Sequence, residues 1–317
     1  MNAVLRVLKA GGLTTIQDLG RPGQAHLGVP KSGAMDDYSH SIANWLCGNP
    51  ADCATLEMTM VGADFEVLAP CSIAVTGADM DLRINGKAAS QWQNHHLQAR
   101  DSISLGMAAS GCRSYLALAG GFAAKTVLSS RSTYLGGRLG GYEGRMLKKG
   151  DVLGSEAAGP NNLKQKRYRL PWSPRYGSSI VLRAILGPQD DWFSQDITRF
   201  FQTSFTLSSQ SNRMGCRLQG RAIKKNNDSP ENLLSIPVTA GNIQIPPNGQ
   251  PIVLFREQTI GGYPVIATVL SCDLWRLAQT QPGAEVSFQQ VSLAEGQHIA
   301  SNLQAFMNEA QALLRSQ

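Results

Sequence analysis

Short apolar runs closed off by glycine, proline, asparagine or aspartate recur along this chain, and that punctuation restricts most of it to strands. In the first half the runs read VLRVLKA, FEVLA, SIAVTGA, DLRING, SISLG and SYLALAGG. Their spacing suits the strands of a sandwich or a barrel. In the second half SIVLRAILG, SFTLSS, IQIP, PIVLF, YPVIATVL and EVSFQQV continue the pattern. SIVLRAILG also echoes AVLRVLKAGG near the start, which suits two β domains of related design. Thirty-two glycines, and charged residues at only 16%, agree with a turn-rich β protein.

Three helices interrupt the strands. Tyr38, Ile42, Trp45 and Leu46 fall three or four apart, and Gly48 and Pro50 end that helix. Asp36 and Asp37 then sit in its first turn, where the helix dipole favours negative charge. A second short helix is predicted within Asp190–Gln202. At the C-terminus Ser292 and Glu295 form a capping box, and Ile299, Leu303, Phe306, Ala310 and Leu313 make one apolar face. Residues 155–178 are polar, rich in proline and without period, so the domain boundary is placed there. The expectation is an N-terminal β domain over 1–165 and a C-terminal β domain, carrying the terminal helix, over 175–317.

Several function classes are disfavoured. The net charge of +6 is mild and spread along the chain. The one basic cluster, Lys164–Arg169, lacks the dense stripe with interleaved aromatics that nucleic acid requires, so no nucleic-acid partner is expected. No long apolar run suggests a membrane span or a signal peptide. Six cysteines, at 47, 53, 71, 112, 216 and 272, form no CxxC pair and no zinc-type spacing, so no metal is expected. Histidines 26, 40, 95, 96 and 298 show no ligand spacing, and there is no GxSxG elbow. Together these read as a soluble cytoplasmic protein with reduced thiols.

Four stretches carry more polar detail than folding demands: Gly12–Asp36, Ser129–Arg145, Ser208–Gly220 and Ile243–Pro264. Polar loops on a rigid β scaffold are where function concentrates. GGRLGGYEGR invites comparison with a phosphate cradle served by Arg138 and Arg145, but its spacing matches neither the P-loop nor the dinucleotide fingerprint, and a structural turn accounts for it as well. Arg213 and Arg217, four apart in NRMGCRL, either hold a carboxylate or phosphate between them or pin a turn through backbone carbonyls.

GLTTIQDLGRPG…GVPKSGAMD, ALAGGF…SSRSTYLGGRLGGYEGRMLKKGD, SSQSNRMGCRLQG and GNIQIPPNGQPIVLFREQTIGGYP resemble, in order, the signatures of the family of 5-oxoprolinase C subunits. These are also called KipA-like or biotin-dependent carboxyltransferase-domain proteins, related to the second component once named for allophanate hydrolase. The resemblance runs from about Gly11 to Val291. It implies a mainly β fold with two β-barrel-like subdomains of cyclophilin-like architecture, a few short helices and a C-terminal helix. It implies work with two partners, the B subunit and the LamB/YcsF-like A subunit of 5-oxoprolinase, opening 5-oxo-L-proline to L-glutamate at the expense of ATP with Mg2+. The alternatives within the family are a KipA-like regulator, which binds a kinase inhibitor resembling the B subunit, and a carboxyltransferase component. No biotin-carrier Met-Lys-Met motif is present, so no biotin is attached to this chain.

The small-molecule chemistry then assigns candidate roles. A lactam is a poor electrophile, and a site that activates it needs donors for the substrate carboxylate and a polar pair for the lactam amide. Arg213 and Arg217, with Asp36 at the edge, are the candidates for substrate binding. Gln244 and Gln258 are placed at the amide, Tyr263 as a wall, and Gly261 and Gly262 where the backbone approaches the ligand. The family often has an Asp two residues before this glutamine. Here that position is Arg256, and Glu257 is the candidate substitute.

Overall fold

The computed structural model describes residues 2–156, 167–230 and 233–316. Residues 157–166 of the expected linker lie outside the described residues. The chain divides into two compact units, Met1–Pro22 with Ser32–Tyr176 and Met307–Gln317, and Gly23–Lys31 with Gly177–Phe306.

The first unit opens with β1 (Asn2–Lys9), β2 (Leu13–Gln17), α1 (Asp37–Leu46), β3 (Thr55–Thr59) and β4 (Asp64–Val67). It continues through β5 (Cys71–Asp79), β6 (Arg83–Ile84), β7 (Lys87–Ala88), β8 (Asn94–Leu97), β9 (Ser102–Ser104), β10 (Ser110–Leu118) and β11 (Val152–Ser155). They make a sheet of order β11-β1-β4-β9-β6-β7 and another of order β2-β3-β10-β5-β8. Leu5, Val7 and Phe65 from the first sheet and Leu56, Ile73, Val75 and Leu116 from the second share one core. Side chains alternate across a strand, so Tyr115 and Ala117 of β10 turn to the opposite face, where they pack with Ala34 and Ala43 on and beside α1. Helix α1 begins at Asp37, and Asp36, read from the sequence as part of the first turn, is its N-cap, accepting a hydrogen bond from Ser39 N at 2.8 Å.

The second unit holds β12 (Ser179–Leu186), α2 (Ile197–Gln202), β13 (Phe205–Leu207), β14 (Gly215–Gln219), β15 (Ile236–Pro237) and β16 (Asn242–Gln244). Then come β17 (Ile252–Leu254), β18 (Ile260–Gly261), β19 (Val265–Val269), α3 (Leu274–Ala278), β20 (Glu285–Gln290) and α4 (Leu293–Ser316), whose residues from Met307 on count with the first unit. Seven strands close into a barrel of order β12-β19-β16-β17-β14-β13-β20, and β15 pairs with β18 beside it. β12 and β20 pair in parallel while the other barrel pairs are antiparallel. The barrel is filled by Leu182, Phe205, Leu218, Ile243, Val253, Ala267, Val286 and Phe288. Phe200 of α2 stacks on Phe288 at 4.9 Å between ring centres.

The mainly β fold, the short helices and the C-terminal helix are as the sequence implied. Three local readings change. Asp190–Gln202 is a 3-10 turn, Asp190–Phe193, followed by α2. The buried face of α4 runs through Ala310 and Leu314, while Phe306 and Leu313 are exposed. Two stretches read as polar loops contain strands, β2 and β14. In β2 the buried polar groups are Thr14, Thr15 and Gln17, beside buried Ile16, and no apolar alternation marks them. Thr14 Oγ1 donates to Ala10 O at 2.6 Å and Gln17 Nε2 to Thr133 O at 3.1 Å, while Gln17 Oε1 is buried without a hydrogen-bond partner among the described residues.

Candidate functional site

The loop before β14 and the turn after β17 meet at one end of the β14–β17 ladder, and the loop from β16 to β17 lies at its other end, beside the segment that leads into β19, where Ile245 N donates to Pro264 O at 3.0 Å. The β14–β17 ladder is extended by Phe255 N donating to Met214 O at 2.9 Å and Glu257 N to Arg213 O at 3.1 Å. These bonds hang the Arg256–Glu257 turn on NRMG. A buried ion pair reinforces them, with Arg213 Nε 2.6 Å from Glu257 Oε1 and both side chains almost wholly out of water. The turn thus delivers Gln258 and Thr259, half-buried, to β18.

Gln244, the last residue of β16, is 4% exposed and donates from Nε2 to Tyr263 O at 3.2 Å. A Cβ on Gly261 would lie 2.2 Å from that same nitrogen. Gly261 therefore makes room for Gln244. Tyr263, fixed through its carbonyl, remains 43% exposed.

Two cavities adjoin at Tyr263, Pro246, Pro247 and Asn248. The smaller, about 460 Å³, sets Arg217, Gln210, Gln219 and Gln250 beside Leu218, Pro251 and Ile252. The larger, about 660 Å³, takes Trp192, Ile245, Gly262 and Pro264 with Lys224 and Lys225. Lys225 Nζ stands 5.9 Å from the centre of the Trp192 ring. A cavity with a guanidinium, amide side chains and an aromatic wall suits a small polar anion.

The expected site residues divide accordingly. Arg217 and Tyr263 line the smaller cavity together. Gln244 holds Tyr263 from behind. Arg213 and Glu257 pair with each other, which makes Glu257 the counter-ion of an arginine. Gln258 follows them on the turn and lines neither cavity. Asp36 belongs to the first unit, where its carboxylate takes hydrogen bonds from Ser39 N and Ser39 Oγ. Trp192, Lys224, Lys225 and Pro246 were not singled out by the sequence; a tryptophan and a lysine pair in separate apolar and polar surroundings carry no spacing signal.

The family-model comparison matches residues 27–290 to the carboxyltransferase domain, subdomain A and B. The chain belongs to this carboxyltransferase-domain family. It is similar to the C subunit of the Escherichia coli 5-oxoprolinase, 37% identical over 96% of this chain and 97% of the relative. The C subunit from Haemophilus influenzae is 31% identical over 98% of this chain and 99% of its own length. Among solved structures, Kluyveromyces lactis urea carboxylase superposes with a TM-score of 0.89 at 28% identity, over 97% of this chain and 29% of that much longer one.

The remaining family motifs lie in the first unit and knit its loops together. Asp18 accepts from Ser130 Oγ and Gly20 N at 2.7 Å, from Arg131 N at 2.6 Å and from Ser132 Oγ. Burial pushes the Asp18 carboxyl up, but these bonds together outweigh it and hold the group below its ordinary range. Arg21, fully buried, donates to Ser132 O, and a Cβ on Gly140 would meet it at 2.9 Å. DLGRPG and the glycine-rich loop are therefore a joint between segments more than a hundred residues apart. Arg145 of that loop is engaged by Asp151, at 2.7 and 2.9 Å. Nearby, Tyr115 donates to Glu57 Oε2 at 2.7 Å and accepts from Asp36 N at 2.8 Å. Among the described residues no group of three His, Cys, Asp or Glu side chains is placed to hold a metal.

Proposed function

We propose that this chain is the C subunit of an ATP-dependent 5-oxoprolinase, working with the A and B subunits to open 5-oxo-L-proline to L-glutamate. The observation that carries the reading is end-to-end similarity to the C subunit of a 5-oxoprolinase, at 37% identity over 96% of the chain. The cavity chemistry supports it. Arg217 pairs with the substrate carboxylate, and Tyr263, fixed from behind by Gln244, packs against the lactam ring. Arg213 and Glu257 position the turn. ATP with Mg2+, brought into the complex, supplies the activation: its γ-phosphoryl group passes to the lactam oxygen, water adds to the carbon, the C–N bond breaks as the nitrogen takes a proton, and a second water hydrolyses the resulting acyl phosphate to L-glutamate and phosphate.

The test is ATP-dependent glutamate release from 5-oxoproline by the reconstituted complex, with each chain omitted in turn. Activity must disappear when this chain is left out, and undiminished turnover without it ends the proposal. A carboxyl-transfer role is the second reading, favoured by the likeness to urea carboxylase. It requires a biotinylated carrier as donor, so omission of that carrier separates the two.

A further inference from the structure

In the first unit, a further cavity of about 640 Å³ is lined by residues that the function above leaves unused. It opens where the β5–β10 ladder breaks. The register passes from Ser110↔Asp79 to Ser114↔Gly77, so β10 carries two extra residues there. Gly77, Asp79 and Ser110 flank this bulge and line the cavity. Trp92 contributes its floor. It is 8% exposed with φ at +60°, an outlier for so bulky a residue. Two backbone bonds hold it there: Trp92 N donates to Val75 O at 2.8 Å, and Leu170 N donates to Trp92 O at 3.2 Å. Tyr176 supplies a second ring, and Gln91 is fixed by donating to Ala78 O at 2.9 Å.

Three charged side chains line the cavity. Asp81 is answered by Arg83 at 2.8 Å. Asp79 accepts one bond, from Asp81 N at 3.3 Å, and neither it nor Arg175 forms an ion pair with a described residue. An exposed carboxylate and an exposed guanidinium thus share one cavity and stay apart over an aromatic floor. A singly charged ligand would satisfy only one of them. We propose that this cavity binds a free α-amino acid as its zwitterion, the ammonium on Asp79, the carboxylate on Arg175 and the side chain against Trp92 and Tyr176.

The experiment is calorimetric titration of the full chain with L-phenylalanine and L-glutamate as probes. At least one should bind saturably. N-acetyl-L-phenylalanine and L-phenylalaninamide, each lacking one charge, should bind about tenfold more weakly or worse than phenylalanine. Asp79→Asn should weaken phenylalanine but not its N-acetyl derivative, and Arg175→Gln should weaken phenylalanine but not its amide. Both side chains are exposed, so melting temperatures should not move. The proposal falls if neither amino acid binds, if the blocked analogues bind as well as phenylalanine, or if both variants bind it normally.

Discussion

Single atoms decide what the residues around Tyr263 do. Arg217 and Tyr263 are the expected residues that reach the cavity, so they should carry substrate recognition. In the assembled complex, Arg217→Ala should lower kcat/KM roughly ten- to a hundredfold with the fold intact, the range for losing a charge-assisted bond. Steady-state kinetics with a parallel melting curve checks this; normal turnover in Arg217→Ala and Tyr263→Ala would place the site elsewhere. The neighbouring glycines make a sharper comparison. Gly261→Ala must displace the Gln244 amide and break its bond to Tyr263 O, whereas the Cβ of Gly262→Ala meets Ser235 Oγ no closer than 3.4 Å. The first should destabilise by about 1 kcal/mol and the second by little, as urea unfolding of both would show. The reverse order would mean that Gly261 serves something other than Gln244.

Elements meet the site through one buried ion pair. Arg213, just before β14, and Glu257, just after β17, are 5% and 9% exposed. Breaking such a pair leaves an uncompensated buried charge, so Arg213→Ala and Glu257→Ala should each cost about 3 kcal/mol or more. An Arg213→Met, Glu257→Leu double variant should recover much of the loss, because neither charge is then stranded. Chemical denaturation of the three proteins measures it, and additive losses in the double variant would show that the two groups do not act as a pair. This element-level role was hidden in the sequence. NRMG and REQT stand more than forty residues apart, and only the β14–β17 register brings them together. The same holds for Asp18 and the Ser130–Ser132 segment, whose contact depends on how two distant loops meet.

At the scale of the molecule, two buried groups in the first unit set how it meets acid. Asp18 has its folded value depressed below 3.8, so its contribution is full above that value and is lost as pH falls through it towards the lower folded value. His40 is fully buried; that burial holds its ring below the usual 6.5 despite the Asp18 charge and the bond to Ala51 O at 2.9 Å. A histidine with a depressed folded value stabilises above 6.5 and loses that stabilisation as pH falls below it. Thermal melting against pH should therefore show a first decline below about pH 6.5 and a steeper one below about pH 4. Asp18→Asn should flatten the second, and an unchanged profile would mean that the cross-link does not contribute. No helix among the described residues is long and apolar enough to cross a membrane. By itself the sequence determined the strand-rich class, helix α1, the capping box of α4 and the family, because each rests on local period, local hydrogen bonding or contiguous motif. Only the tertiary structure decided that Glu257 neutralises Arg213, that Gly261 yields space to Gln244, and that β2 is a buried polar strand. Those outcomes depend on distances between segments remote in the chain, and a β fold sets such distances by strand register, which no local pattern records.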